Sequence, residues 1–203
     1  MNVKLTDSDN RTQNKTVWGE NVRHEAENQT GKMELCTKTC IHYYPDPVLA
    51  VMMNPAHGNF TNPVGWEFKP EGRIITDGTK SGCRAGTTIK KIKLPTVNRT
   101  QKVAFGILCT LVVYKDKSFR QWAKNWLNGT DRTAKSAADA ADAAIAAAAY
   151  ADAAFAADAA DAAIAAAYAD ATDAAIAAAA AAKHCAGRKI DFVKLAHKAM
   201  KIT

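Results

Sequence analysis

Residues 136–182 read SAADAADAAIAAAAYADAAFAADAADAAIAAAYADATDAAIAAAAAA, and 32 of these 47 residues are alanine. Alanine has the highest helix propensity of all residues, and neither glycine nor proline interrupts the stretch. The sequence therefore predicts one continuous alanine-rich rod, which at 1.5 Å per residue would span roughly 70 Å. We place the rod segment at 131–186, because Asp131 or Thr133 can cap its start and Gly187 can end it.

The rod repeats itself at intervals that do not suit a leucine zipper. DAADAAIAAAAYAD begins at Asp139, a near copy begins at Asp158, and a shorter echo begins at Asp170. The offsets of 19 and 12 residues are not multiples of seven, so no continuous seam of large side chains forms. An isolated helix of this composition is only marginally stable in water, which favours packing through alanine surfaces. The rod can fold back onto the rest of the chain or form a homo-oligomer through residues 136–182, and we expect the oligomer.

The residues before the rod predict a small mixed domain over 16–130. Residues 1–15 are polar and lack apolar periodicity, which indicates a flexible tail. A turn-rich stretch follows, and a short helix is expected between Asp46-Pro47 and Asn54-Pro55. Short apolar runs in this stretch are typical of strands. The expected strands include Met33–Cys36, Ile41–Tyr44, Val64–Phe68 and Thr87–Leu94.

Three further helix patterns complete a predicted α+β fold. Gln101–Lys115 carries apolar residues on both sides, which indicates a buried helix, with Thr100 as its cap. The next pattern, capped by Ser118, has one apolar stripe with Arg120 and Lys124 opposite it. Asp191 can cap a last amphipathic helix, and we expect residues 187–203 to dock it on an apolar surface.

Charge is divided unevenly along the chain. The formal net charge is +7, made up of +9 over residues 1–135, −7 over residues 136–182 and +5 over residues 183–203. A basic body of this kind attracts phosphates, anionic lipids or acidic proteins. The densest group of bases, from Lys80 to Lys102, has no aromatic residue within it, which argues against a stacking platform for single-stranded nucleic acid.

These bases predict a phosphate-binding site. Lysine and arginine would neutralise phosphate, and aromatic side chains from neighbouring strands would stack on a base. The simpler interpretation is a solvated basic face. The expected partner is an anionic, nucleotide-like small molecule or a host protein, with nucleic acid as an alternative. The predicted ligand-binding residues are Lys80, Arg84, Lys90, Lys91, Lys93, Tyr43, Tyr44 and Trp66.

The cysteines predict a reducing environment. There are five, an odd number, and the first 16 residues lack the apolar core of a secretory signal. We therefore expect free thiols, a location in the host cell cytosol and unmodified Asn-x-Thr triplets. No apolar run is long enough for a transmembrane helix. Cys36, Cys40, His42 and Cys83 could supply four zinc ligands, but their spacing favours buried thiols, so we expect no metal and no cofactor.

Catalytic motifs are scarce. No nucleophile elbow, P-loop or dinucleotide fingerprint occurs, and the stretch from Gly78 to Gly82 is interpreted as a turn. His42 and Glu67 leave one enzymatic alternative open, an NAD-using transferase of the ADP-ribosyltransferase type. Against it, His42 and Tyr43 are adjacent, and adjacent strand residues point to opposite faces.

Two stretches carry a family resemblance. LCTKTCIHYYPDPVLAVMMNPAHGNFTNPVGWEFKPEG at Leu35–Gly72, followed by KVAFGILCTLVVYKD, forms one, and the alanine-rich segment closed by KIDFVKLAHKAM forms the other. Together they resemble an uncharacterised group of bacteriophage and bacterial proteins, in which a small β-rich domain precedes an alanine-rich tract. The resemblance implies a phage accessory protein, for example one that blocks host defence.

Combined with the missing catalytic motifs, these observations predict a non-enzymatic binding protein. It would capture a phosphate-bearing ligand, such as a nucleotide signal of host immunity, and oligomerise through its alanine-rich helices. Two alternatives remain: the NAD-using enzyme, and a structural or inhibitory protein that acts through the rod.

Overall fold

The computed structural model describes residues 1–148, 153–168, 171–184 and 190–203, and it confirms the predicted α+β fold. The chain divides into a sheet unit, Met1–Thr96, and a helical unit, Val97–Thr203. The boundary expected near residue 130 is therefore corrected to 96/97, because the two helices that follow pack with the alanine-rich helices. The strands are β1 Val3–Thr6, β2 Val22–Glu25, β3 Ile41–Tyr43, β4 Val64–Thr76 and β5 Ser81–Ile92. The helices are α1 Pro47–His57, α2 Arg99–Val113, α3 Lys117–Leu127, α4 Ala134–Ala148, α5 Ala153–Tyr168, α6 Ala171–His184 and α7 Phe192–Ala199.

The sheet unit is built around the long antiparallel hairpin of β4 and β5. β1 pairs with the free edge of β4, and β2 and β3 both pair with β5. A further bridge joins Val3 of β1 to Tyr44, with two backbone hydrogen bonds of 2.8 Å. The pairs therefore form a closed circuit β1–β4–β5–β3–β1, which removes most free strand edges.

The flexible tail expected at residues 1–15 is wrong, because Val3–Thr6 is a fully paired strand. Val3 and Thr6 are 0% exposed and Leu5 is 4% exposed. A strand of four residues is too short for alternation to be recognised in the sequence, and its burial depends on partners about 60 residues away. The strand expected at Met33–Cys36 is also absent.

Aromatic residues fill the interior of the sheet unit. Its buried cluster includes Trp18, Tyr43 and Phe68, and the Phe68 ring lies 5.1 Å from that of Tyr43 and 6.0 Å from that of Trp18. Gly86 makes this packing feasible, since a Cβ there would lie 2.2 Å from the Phe68 ring. The curvature that closes the circuit is helped by a register shift in β4 beside Gly72, which has φ of +75°.

Helix α1 runs further than predicted. Asp46 caps it by accepting hydrogen bonds from Val48 and Leu49, and it passes Pro55 to end at His57. The Asn54 side chain accepts from the Phe60 backbone N–H and donates to the Phe60 carbonyl, so it fixes the chain that leaves the helix.

The continuous rod is also wrong, because the alanine-rich segment forms three separate helices, α4, α5 and α6. α5 packs against α4 and α6, and α2 packs against α5 and α6. Close approach is possible because the facing residues are small: a Cβ on Gly106 would lie 2.8 Å from the Ala174 carbonyl oxygen. The described helices of the segment pack on one another and on α2 within one chain, so the 70 Å extension does not apply.

The remaining helices complete the helical unit. Asn98 caps α2 in a reciprocal capping box with Gln101, and Asp116, not Ser118, caps α3. The predicted final helix is present as α7, capped by Asp191 and packed against α2. The start of the docking segment expected at residue 187 lies outside the described residues, as does Cys185. Within the described ranges, no helix is both long and apolar enough to cross a membrane.

Candidate functional site

The three aromatic residues predicted to stack on a base are part of the core. Tyr43, Tyr44 and Trp66 are 3%, 7% and 6% exposed. Tyr43 packs on Phe68, and the Trp66 indole N–H donates to Thr6 Oγ1 at 3.2 Å. No planar ligand can reach a ring that the sheet already covers, so the predicted stacking wall is corrected to interior packing.

The buried Tyr44 forms a polar pair with the half-buried His57. Their rings stack at 5.9 Å, and the Tyr44 hydroxyl lies 3.3 Å from His57 Nδ1. Burial lowers the pKa of His57 to about 4 and raises the pKa of Tyr44 well above its usual value. Both side chains are therefore uncharged near pH 7, and the pair holds α1 to the sheet.

Two of the five predicted phosphate-binding bases form hydrogen bonds within the sheet unit. Lys80 is 8% exposed, and its ammonium donates to Cys36 Sγ at 3.0 Å. The Arg84 guanidinium donates to the carbonyl oxygens of Asn28 and Gly31, at 2.7 and 2.6 Å, and so fixes the loop after β2.

The other three predicted bases lie on the surface. Lys90, Lys91 and Lys93 are exposed, and Lys90 forms an ion pair with Glu67 at 3.7 Å. They form an exposed basic surface at the end of β5. Lys91 lies opposite Trp66 in the β4–β5 register, but the Trp66 ring is buried and offers these lysines no accessible stacking surface.

The enzymatic alternative relied on His42 and Glu67. His42 Nε2 accepts a hydrogen bond from the Cys36 backbone N–H at 2.8 Å, and burial lowers the pKa of His42 to about 4. The imidazole is therefore neutral and already occupied near pH 7. The structure therefore gives these two side chains other partners, the Cys36 backbone for His42 and Lys90 for Glu67.

The zinc alternative gains no support either. Cys83 is fully buried, and Lys80 directs a positive charge at Cys36. Across the described part of the chain, no group of three or more His, Cys, Asp or Glu residues is placed to hold a metal ion.

A basic groove in the helical unit is the better candidate for a binding site. It lies over α2, between α3 and the C-terminal residues of α7, with a volume of about 610 Å³. We call it the α3 groove. Pockets that bind small molecules commonly have volumes in this range. Its lining residues are Leu108, Leu111, Lys117, Arg120, Gln121, Lys124, Leu127, Asn128, Lys198 and Ile202.

The cations of the α3 groove follow from the helical repeat. Lys117, Arg120 and Lys124 recur at intervals of three and four residues, which places them on one face over about 10 Å of helix. The opposite face of α3 buries Phe119, Trp122 and Trp126, so the register of the helix is fixed by its apolar stripe. Lys198 supplies a fourth charge from the other wall.

The floor of the α3 groove is aliphatic. Leu108 is buried, while Leu111, Leu127 and Ile202 are half-buried and contribute side chains from three segments. None of the lining residues is acidic, and none of the ion pairs found within the described ranges involves the four cations. The arrangement can therefore take up an anion that also carries an apolar or planar part.

A second cavity in the helical unit has the opposite character. It measures about 250 Å³ and is lined by Asp116 and Asp139 beside Tyr114 and Trp122. Asp116 caps α3, and Asp139 pairs with Lys135 at 2.7 Å, so both carboxylates have structural roles. This cavity is smaller and would repel an anionic ligand.

Comparisons with known proteins place this chain in no family: no family model, curated protein or solved structure matches it. The α3 groove is therefore identified as a candidate binding site by its geometry alone. The sequence places Arg120 and Lys124 opposite the apolar stripe of α3. It does not bring Lys198 beside them, because a sequence does not show that α3 and α7 flank the same helix.

Proposed function

We propose that this protein is a non-enzymatic binding protein that holds a phosphate-bearing small molecule, such as a nucleotide, in the α3 groove. The observation that carries the proposal is the set of four exposed cations around an aliphatic floor with no acidic lining residue. This keeps the ligand class that the sequence predicts and moves its site from β5 to the helical unit.

Each part of the groove has a role in this proposal. The Arg120 guanidinium can bind a phosphate through two parallel hydrogen bonds, while Lys117, Lys124 and Lys198 act as point charges. The apolar or planar part of the ligand would cover Leu111 and Ile202, with a gain of about 25 cal/mol for each Å² removed from water. Because the cations are exposed, affinity should fall as salt is added.

The exposed lysines of β5 are the competing site within the same proposal. Lys90, Lys91 and Lys93 offer charge, but Lys90 is paired with Glu67 and the nearby aromatic rings are buried. Such a surface attracts anions without holding the rest of a ligand. The α3 groove supplies both kinds of contact.

The resemblance to phage and bacterial proteins keeps a nucleotide signal of host immunity among the ligands worth testing. The homo-oligomer expected through residues 136–182 also stays a prediction. The alanine faces between α2, α5 and α6 are buried within one chain, so an oligomer would have to use other surfaces of these helices.

Isothermal titration of the full chain against pyrophosphate, ATP, a cyclic dinucleotide and decyl phosphate tests the proposal. We expect at least one organic phosphate to bind more tightly than pyrophosphate, because only it covers the aliphatic floor. The double variant Arg120→Glu, Lys124→Glu should weaken that binding by about tenfold or more, since it reverses two of the four charges.

The chain offers a matched control in Lys90→Glu, Lys91→Glu, which changes the net charge by the same amount at β5. We expect this control to bind within about twofold of the natural chain. Loss of binding in the β5 variant, with binding retained in the groove variant, would show that the ligand binds at the lysines of β5. Absence of binding by every member of the panel would contradict the proposed function.

A further inference from the structure

A thiol in the sheet unit is arranged for chemistry that the binding proposal does not use. Cys36 is exposed, whereas the other described cysteines, Cys40, Cys83 and Cys109, are buried. Its sulfur accepts a hydrogen bond of 3.0 Å from the ammonium of Lys80. An adjacent ammonium stabilises negative charge on sulfur, and the thiolate is the reactive form of cysteine.

Lys80 is held in this position by the tight turn between β4 and β5. Its backbone N–H donates to Asp77 Oδ1 at 2.9 Å, and its carbonyl accepts from the Thr76 hydroxyl at 2.8 Å. The residue is only 8% exposed. Burying a lysine charge costs free energy unless the charge has a partner. None of the ion pairs in the described structure includes Lys80. The partner of its ammonium is therefore the Cys36 sulfur.

Cys36 itself is fixed by His42. It adopts a left-handed backbone conformation with φ of 63°, which is unfavourable for a residue with a side chain. Its N–H donates to His42 Nε2 at 2.8 Å, and the Cys40 thiol lies 3.6 Å from the same nitrogen. The imidazole thus orients the loop as a neutral acceptor, and the positive charge at Cys36 comes from Lys80.

We propose that Cys36 is a peroxide-reactive modification site and that Lys80 activates it. The Cys36 thiolate attacks one oxygen of a hydroperoxide, an S–O bond forms and the O–O bond breaks. The leaving hydroxide or alkoxide takes a proton from the Lys80 ammonium and departs as water or an alcohol. Sulfur is oxidised by two electrons to a sulfenic acid, the peroxide is reduced by two, and Lys80 regains its proton from solvent.

Trapping of sulfenic acid with dimedone tests the proposal on the full chain. Cleavage after Lys and Arg separates all five cysteines, and Cys36 is on the peptide Met33–Lys38. After limiting hydrogen peroxide, we expect the adduct on this peptide to form about tenfold faster than on the peptides that hold Cys40, Cys83 and Cys109. Equal rates on these four peptides would overturn the proposal.

Two variants of Lys80 isolate its charge. Lys80→Met removes the ammonium at similar volume and should slow adduct formation at Cys36 by about fivefold, while Lys80→Arg should keep the rate within about threefold. An unchanged rate in Lys80→Met, or an equal loss in both variants, would show that the charge does not activate the thiol.

Unfolding of the natural chain provides a readout that does not depend on a variant. In urea, Lys80 no longer lies beside Cys36, so the rate at Cys36 should fall while the rates at the buried cysteines rise. A rise at Cys36 together with the others would mean that exposure alone governs its reactivity. The outcome is independent of the α3 groove, which belongs to the other unit.

Discussion

Lys4 is a cation inside the sheet unit, 7% exposed, and its ammonium donates to the His42 carbonyl oxygen at 2.7 Å. It also lies 5.1 Å from the centre of the Trp18 ring. Burial lowers the pKa of Lys4 to about 8 from its ordinary value of 10.5, with the nearby thiols Cys83 and Cys40 opposing the shift. The side chain is therefore charged at pH 7 at a cost to stability.

We expect Lys4→Met to stabilise the protein at pH 7 by about 1–3 kcal/mol, because it removes a buried charge and keeps the volume. Urea unfolding monitored by tryptophan fluorescence measures this. Lys69→Met, at an exposed position of β4, makes the same change in charge and should alter stability by less than about 0.5 kcal/mol. Destabilisation by Lys4→Met would mean that the charge is compensated.

The same residue predicts a pH dependence. Between pH 8 and 10.5 the unfolded chain holds more protons at this position than the folded chain, so folding gains stability as pH rises. The advantage of Lys4→Met over the natural chain should therefore be full below pH 8 and shrink towards zero near pH 10.5. An advantage that stays constant from pH 7 to 10 would contradict the lowered pKa.

Single residues also show why the binding site could not be located from the sequence alone. The spacing of bases predicted an anionic ligand, but it did not separate exposed Lys90 from buried Lys80. That difference arises from the turn after β4 and from the position of Cys36, 44 residues earlier in the chain. Tyr43 and Tyr44 were likewise recognisable as strand residues, and only the closed circuit of strands shows that both are buried.

At the scale of elements, helix propensity predicts the alanine-rich helices but not their packing against one another. Alanine favours a helix at every position of this segment, so propensity alone does not show that α5 packs against α4 and α6. Three of the large side chains in this segment do not mediate the packing, because Ile145, Tyr168 and Ile176 are 54%, 79% and 43% exposed. Buried alanines do so instead.

The close contact of α2 with α6 predicts that a glycine-to-alanine change in a helix lowers stability, the opposite of what helix propensity predicts. Helix propensity alone makes Gly106→Ala stabilising by about 1 kcal/mol. Because the new Cβ would lie 2.8 Å from the Ala174 carbonyl oxygen, we expect a net loss of about 1–2 kcal/mol, and a larger loss for Gly106→Val. Thermal unfolding followed by circular dichroism measures both. A higher melting temperature for Gly106→Ala would mean that the helices do not approach this closely.

At the scale of the whole molecule, the basic and acidic segments of the sequence do not correspond to the two units of the structure. The sheet unit has 13 basic and 10 acidic residues, and the helical unit has 14 and 10. The acidic alanine-rich segment therefore shares a unit with the basic helices and offsets most of their charge. What distinguishes the helical unit is the local grouping of cations at the α3 groove.

The α+β class, the positions of most helices and the final docking helix could be predicted from periodicity and caps, which are local properties. The division at residue 96/97 and the α3 groove could not, because both depend on which helices become neighbours. Lys117, Arg120 and Lys198 acquire a common environment only when α3 and α7 pack beside α2.

The most direct test of the account is to map the bound ligand by NMR. Amide ¹H–¹⁵N spectra of the full chain would be recorded during titration with the tightest binder of the phosphate panel. We predict that the largest shifts fall on Lys117, Arg120, Lys124, Lys198 and Ile202, with little change at Lys90, Lys91 and Lys93. Shifts concentrated at β5, or spread evenly over the basic residues of both units, would contradict a binding site in the α3 groove.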